Sequence, residues 1–255
     1  MKDPRERARL AIGLLDLTSL NDDDTAARVA ALAGRASTAH GNVAAICIWP
    51  RFIDAARRAL GGRKIALAAV ANFPLGGEDV HAVVEEVGGI AAEGADEVDL
   101  VMPWRAFAAG NRQVAVRVIA GARRALGPGM RLKVILESGE LARADLIASA
   151  ADLAIGEGAD FIKTSTGKTA VSATPEAARI MLEAIRRSGT ACGFKAAGGI
   201  RDLATASQYL DIAAEIMGAG WIGPRTFRFG ASGLLDDLLA RLGAAPGAAA
   251  SGSEY

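Results

Sequence analysis

Cysteine and histidine are scarce in this chain of 255 residues: Cys47 and Cys192, His40 and His81 are all there is. With no CxxC spacing, neither a disulfide framework nor a cysteine metal site is indicated. His40 falls in a predicted loop and His81 in a predicted surface helix, and neither is spaced with another nitrogen or sulfur donor. Metal chemistry is disfavoured on that inventory, and no Ser/His/Asp arrangement is available. An excess of one charge is absent too, since Lys plus Arg and Asp plus Glu both number 29. No field is left to draw nucleic acid or an anionic membrane. No run of about 18 apolar residues could span a bilayer, and the start MKDPRERARL has no apolar signal core. The expectation is a soluble, cytoplasmic protein with a small-molecule partner.

What is present is apolar: 51% of the residues, with mean hydropathy +0.23. That is enough to bury a large core, at a length usual for a one-domain α/β barrel. Short apolar runs alternate with amphipathic stretches. The charged start, to about Ala11, reads as an extra N-terminal helix. Strands are predicted at 13–20, 43–49, 64–73, 96–102, 131–137, 159–164, 192–197 and 226–230. The acidic run NDDD at 21–24 is placed in the first turn of a helix, where it would suit the dipole. Pro50 opens a crossover, Thr174 and Pro175 make an N-cap and first turn, and Asp202 caps the next helix. The last helix, from near Ser232, shows Leu234, Leu235, Leu238, Leu239 and Leu242 on one face. Eight near-continuous apolar strands with helices between them point to an α/β fold, a (β/α)8 TIM barrel with that extra N-terminal helix, rather than an open sheet. Residues 1–243 are expected to form this single catalytic domain, and 244–255 a flexible tail.

The chemistry is concentrated where strands carry charge. In DFIKTSTGK, Lys163 follows Phe161 and Ile162 directly, at a desolvation cost that marks it for function. In GFKAAGGIRD, 32 residues on, Lys195 repeats the pattern. Asp16 lies among leucines and Asp99 deep in DEVDLVM. These residues, with Cys47, are placed late in their strands, at the face where barrels of this kind hold active sites. One strand lysine could simply belong to a buried ion pair. Two lysines and two aspartates from four strands make pKa perturbation hard to avoid. Cys47, with no histidine beside it, reads as core or pocket lining. Glu97 and Glu137 stay open between rim, pocket and salt bridge.

Two motif matches fail. GKT at 167–169 ends like a Walker loop but has Ile162 where that loop needs glycine, and GEGADF at 156–161 has Phe161 for its last glycine and precedes a strand. The anion signals are better: Gly167 after the sixth strand, Gly198 and Gly199 after the seventh, and Gly230 with Ser232 after the eighth. Backbone amides there can approach an oxyanion, and Lys168 and Arg201 add charge. Together they indicate a phosphorylated substrate.

The segments LLDLTSLNDDDT, GNVAAICIWPRF, GADEVDLVMP, KVILESGEL, GADFIKTSTGK, GFKAAGGIR and FRFGAS, in order from about Leu14 to Leu242, resemble the deoxyribose-phosphate aldolases, a class I aldolase family with a (β/α)8 fold. The resemblance implies that Lys163 forms a Schiff base, that Lys195 perturbs it, and that Asp99 works with a water in proton transfer. It implies reversible cleavage of 2-deoxy-D-ribose 5-phosphate to D-glyceraldehyde 3-phosphate and acetaldehyde, with no metal or organic cofactor, in a homodimer or larger assembly. Asp16 and Thr18 would orient hydroxyls or tune the lysines, with Cys47 lining the pocket. Gly167, Lys168, Gly198, Gly199 and Ser232 would hold the phosphate, and Tyr255 would assist enamine protonation. One departure is Gly233, where some relatives have a second serine. A barrel sugar-phosphate isomerase, a non-catalytic metabolite sensor and a different Schiff-base aldolase are the competing readings.

Overall fold

Apolar runs of this density make strands that need cover on both faces, and a closed sheet wrapped by helices provides it. The computed structural model describes residues 3–243. Its strands are β1 Leu15–Thr18, β2 Ser37–Thr38, β3 Gly41–Asn42, β4 Ala45–Ile48, β5 Ala66–Ala71, β6 Glu97–Val101, β7 Arg131–Ile135, β8 Phe161–Lys163, β9 Gly193–Ala197 and β10 Phe227–Ala231. Eight of them form a closed parallel barrel, in the order β1, β4, β5, β6, β7, β8, β9, β10, with β10 pairing back to β1. All eight runs read as strands from the sequence are present. The antiparallel pair of β2 and β3 was not anticipated; it is a two-residue hairpin rung, too short to leave a period-2 pattern.

The helices are α1 Pro4–Gly13, α2 Ala26–Arg35, α3 Ile53–Leu60, α4 Val80–Ala92, α5 Trp104–Ala108, α6 Arg112–Ala125, α7 Ser138–Leu141, α8 Ala144–Gly156, α9 Pro175–Ser188, α10 Leu203–Met217 and α11 Leu234–Arg241. Their starts follow the capping chemistry: Thr174 accepts from the Ala177 amide ahead of Pro175, and Asp202 accepts from Thr205. The extra N-terminal helix is α1, which buries Ala8, Ala11 and Ile12 and packs on α10 and α11. In α11, Leu234, Leu235 and Leu238 are buried, each contributing about 1.5–3 kcal/mol.

Two local expectations are corrected. The acidic run at 21–24 precedes α2 instead of opening it: Thr25 is the N-cap, and buried Asp24 accepts from the Ser19 hydroxyl and the Asn21 amide. A carboxylate with donors three and five residues before it satisfies a turn better than it would serve a helix dipole. Gly230 is not in a loop after the eighth strand but within β10. A Cβ there would lie 2.9 Å from Lys195 Cε and 2.9 Å from Ala197 Cβ, so the missing side chain is what admits the lysine.

Candidate active site

Successive side chains of a strand point to opposite faces, and this alternation turns Asp16, Glu97 and Asp99, Lys133, Lys163, Lys195 and Arg228 into the barrel. There they form one connected charge network. Lys133 Nζ lies 2.9 Å from Asp16 Oδ2, 2.6 Å from Glu97 Oε2 and 2.9 Å from Asp99 Oδ1. Lys195 Nζ lies 2.6 Å from Asp16 Oδ2 and 2.7 Å from Asp99 Oδ2. Arg228 joins Asp16 and, at 3.0 Å, Glu97 Oε1. Lys163 has a single carboxylate contact, Asp99 Oδ2 at 2.9 Å. None of the seven side chains is more than 3% exposed.

Four basic groups thus face three carboxylates. Arg131, which also reaches Glu97 at 3.0 Å, is one-third exposed and its charge is dispersed by water. Within this contacting set the surplus of one positive charge is relieved most cheaply by losing one proton. The group with the fewest carboxylate partners is Lys163. Burial pushes its amine below the ordinary lysine value and the charge of Lys195 pushes the same way, against the attraction of Asp99. At Lys195 burial is outweighed by Asp16 and Asp99, and at Lys133 by Asp16, Asp99 and Glu97, so both are raised. Burial opposes the ionised forms of Asp16 and Asp99, yet the surrounding lysines hold both below the usual carboxylate range. Burial is therefore the larger influence on Lys163, ahead of its cationic neighbour.

The anticipated residues Lys163, Lys195, Asp99, Asp16 and Cys47 are brought together. Cys47 Sγ lies 3.8 Å from Asp99 Oδ2, and burial first, then Asp99, pushes its thiol up to about 11. It is a protonated lining group, beside a small apolar cluster of Leu20, Ala68 and Val70. Lys163 ends β8, but Asp16, Asp99 and Lys195 lie within their strands, not late in them. The cluster is therefore a layer of the barrel interior, and Lys163 is its member at the strand end. Thr18, two residues beyond Asp16 and on the same face, donates its hydroxyl to the Asp16 carbonyl at 2.8 Å.

Of the anion candidates, Gly167 and Gly198 adjoin. A Cβ on Gly198 would stand 3.4 Å from Gly167 Cα and 2.4 Å from Ser172 Cβ, and both glycines have positive φ, +79° and +89°. Lys168 and Gly199 are exposed, and Ser232 is half-buried just past β10. Tyr255 lies outside the described residues. Lys133 and Arg228 were missed, although each carried the signal used for Lys163: a base between apolar neighbours, in RLKVI and FRF. Glu97, ambiguous in the sequence, is the third carboxylate of the network. Glu137 is also buried; it makes no ion pair within the network, though the charge of Lys163 acts on it, and it accepts from Thr166. Among the described residues no three His, Cys, Asp or Glu side chains gather so as to hold a metal ion. No helix among them is long and apolar enough to cross a membrane.

A closed parallel barrel that buries a lysine amine of lowered proton affinity in a charge cluster is the arrangement a barrel aldolase working through a lysine Schiff base requires. Residues 10–239 match the model of the DeoC/LacD family of aldolases, and the chain belongs to that family. It is 53% identical over 254 residues to the deoxyribose-phosphate aldolase of Agrobacterium fabrum (strain C58 / ATCC 33970), covering 99% of this chain and 98% of that one. Among solved structures, one assigned as a deoxyribose-phosphate aldolase from Toxoplasma gondii ME49 superposes with a TM-score of 0.85 at 27% identity, covering 93% of this chain and 96% of that one. The tetrameric deoxyribose phosphate aldolase of Aeropyrum pernix has the same fold, with a TM-score of 0.71 at 24% identity over 95% and 93% of the two chains.

Proposed function

We propose that this chain reversibly cleaves 2-deoxy-D-ribose 5-phosphate to D-glyceraldehyde 3-phosphate and acetaldehyde, with Lys163 as the Schiff-base residue. The observation that carries the assignment is the charge count: of the four buried bases among the described residues, Lys163 has the one carboxylate contact and the lowered proton affinity. A neutral amine is what attacks a carbonyl, and an ordinary lysine near pKa 10.4 is almost wholly protonated at neutral pH.

The neutral Lys163 Nζ adds to the C1 aldehyde of the open-chain sugar, and the carbinolamine takes up a proton and loses water to give an iminium. Loss of the C3 hydroxyl proton breaks the C2–C3 bond, whose electrons pass to nitrogen and give an enamine with release of D-glyceraldehyde 3-phosphate. The iminium restores the fourth positive charge to a cluster with three carboxylates, and enamine formation removes it. The surplus that favours a free amine thus also favours bond cleavage. Protonation of the enamine at C2 and hydrolysis then release acetaldehyde and the amine.

Asp99, held ionised by three lysines, has little proton affinity of its own. Its role in this reading is to orient a water that carries the C3 hydroxyl proton away. Lys195 retains its charge and forms no bond. Asp16 and Thr18 set the sugar side of the cavity and Cys47 lines it. The paired glycines Gly167 and Gly198, with Lys168, Gly199 and Ser232, hold the phosphate, and Tyr255 assists enamine protonation. The anion cradle also takes in Gly233, whose backbone amide stands in for a second serine. No cofactor is required. A homo-oligomer of one-barrel subunits, located in the cytoplasm, completes the proposal.

Borohydride reduction in the presence of acetaldehyde, followed by peptide mapping, tests it. The added mass is expected on Lys163; label on Lys195 would overturn the roles, and absence of an adduct would favour an isomerase. Acetaldehyde as donor, in preference to ketones, separates this reaction from other Schiff-base aldolases.

A further inference from the structure

Glu137 follows β7 and makes no ion pair within the charge network, although its carboxylate feels the charge of Lys163; it is fully buried and adopts φ +56°, a left-handed backbone uncommon for a residue with a Cβ. What the conformation achieves is visible in its partners. Oε1 accepts from the Thr166 amide at 3.1 Å, Oε2 accepts from the Thr166 hydroxyl at 2.6 Å, and the Thr169 hydroxyl lies 3.4 Å from Oε1. The Thr166 hydroxyl in turn accepts from the Lys168 amide at 3.0 Å.

Further ties fix the same two segments together. The Ser138 amide donates to the Thr164 carbonyl at 2.8 Å, and Gly139 lies so close to Val171 that a Cβ would stand 2.0 Å from its carbonyl oxygen. With the amides of 166 and 168 drawn inward, Gly167 between them, at φ +79°, donates to no acceptor among the described residues. A loop whose flanking amides are tied leaves its central amide, already fixed in place, to meet an anion.

We propose that Glu137 is a positioning residue that, through Thr166, holds the 166–168 backbone in the shape that binds the substrate phosphate. It does not touch the sugar. This inference rests on the function proposed above, which supplies the phosphorylated substrate.

Steady-state kinetics with 2-deoxyribose 5-phosphate and unphosphorylated 2-deoxyribose, alongside acetaldehyde trapping, provide the test. Glu137→Ala is expected to raise KM for the phosphorylated sugar by about ten-fold or more with kcat within about three-fold, while the KM for the unphosphorylated sugar and the adduct on Lys163 stay as in wild type. Glu137→Gln, which keeps an acceptor oxygen, restores most of the loss. Thr166→Val, which cuts the link between the carboxylate and the Lys168 amide, reproduces the KM rise and decides the matter if Glu137→Ala does not fold. A wild-type KM for the phosphorylated sugar in Thr166→Val or in folded Glu137→Ala overturns the inference alone. A wild-type enzyme with no preference for the phosphorylated sugar overturns the function beneath it as well.

Discussion

Lys163 and Lys195 stand in register on neighbouring strands, and both side-chain nitrogens reach the same oxygen, Asp99 Oδ2, at 2.9 and 2.7 Å. The shared acceptor makes the protonation of one depend on the other. Lys195 is also held by Asp16, so it keeps its proton, and Lys163 is the one to give a proton up.

Replacing Lys195 with Met leaves three bases, Lys163 included, facing three carboxylates. Lys163 is then held charged and its pKa rises. The ascending limb of the kcat/KM profile is expected to move to higher pH by at least about one unit, with part of the lost activity recovered in alkali. A pH–rate profile of Lys195→Met that coincides with wild type would contradict the dependence.

Lys163 itself separates activity from stability. Lys163→Met and Lys163→Arg both remove the nucleophile, and each is expected to lower turnover by about 1,000-fold or more. In urea denaturation they part: Met balances the cluster and is at least as stable as wild type, whereas Arg keeps the surplus charge in a larger side chain and costs about 1–3 kcal/mol.

Lys133 touches all three carboxylates of the network. Lys133→Met strips each of a partner in a water-free interior and is expected to cost about 3–5 kcal/mol by urea denaturation, more than any other single truncation in the cluster.

Acid should act through Asp16 and Asp99, both held below the ordinary aspartate value of about 3.9 by the lysines around them. Depressed carboxyls contribute stability that is complete above the unfolded-state value and is lost as pH falls through the folded ones. Glu137, raised by burial, works in the opposite sense, alone. Unfolding free energy measured from pH 7 to pH 2 is therefore expected to hold to about pH 4 and drop steeply below it. A flat curve across that range would show that the carboxylates do not owe their ionisation to the fold.

Gly230 offers a purely steric check. Gly230→Ala places a methyl against Lys195 Cε and Ala197 Cβ, both 2.9 Å away. A loss of about 1–3 kcal/mol and a shifted pH–rate profile are expected together, because the displaced chain is Lys195.

The barrel was readable because eight apolar runs recur at crossover spacing, and buried strands have little else they can be. Lys163 and Lys195 stood out as charges in those runs. Lys133 and Arg228 carry the same mark, between Leu132 and Val134 and between Phe227 and Phe229. Glu97 shares a strand face with Asp99 two residues on. What no linear pattern could supply is distance: that Gly230 makes room for Lys195 from the next strand, that Asp24 satisfies a turn, or that Glu137 reaches Thr166. The first and last depend on segments that meet only once neighbouring strands have paired, and the Asp24 turn on local donors that no apolar periodicity marks.

The seam of that sheet lies between β1 and β10, and Asp16 meets Arg228 near it. During synthesis β1 emerges first and β10 last, so Asp16 waits for its guanidinium partner until almost the whole polypeptide has left the ribosome. A nascent chain halted before β10 would carry an incomplete set of counter-charges and an open sheet edge. Release of the finished chain, and not the growth of its first half, is then the moment at which the interior becomes electrically complete.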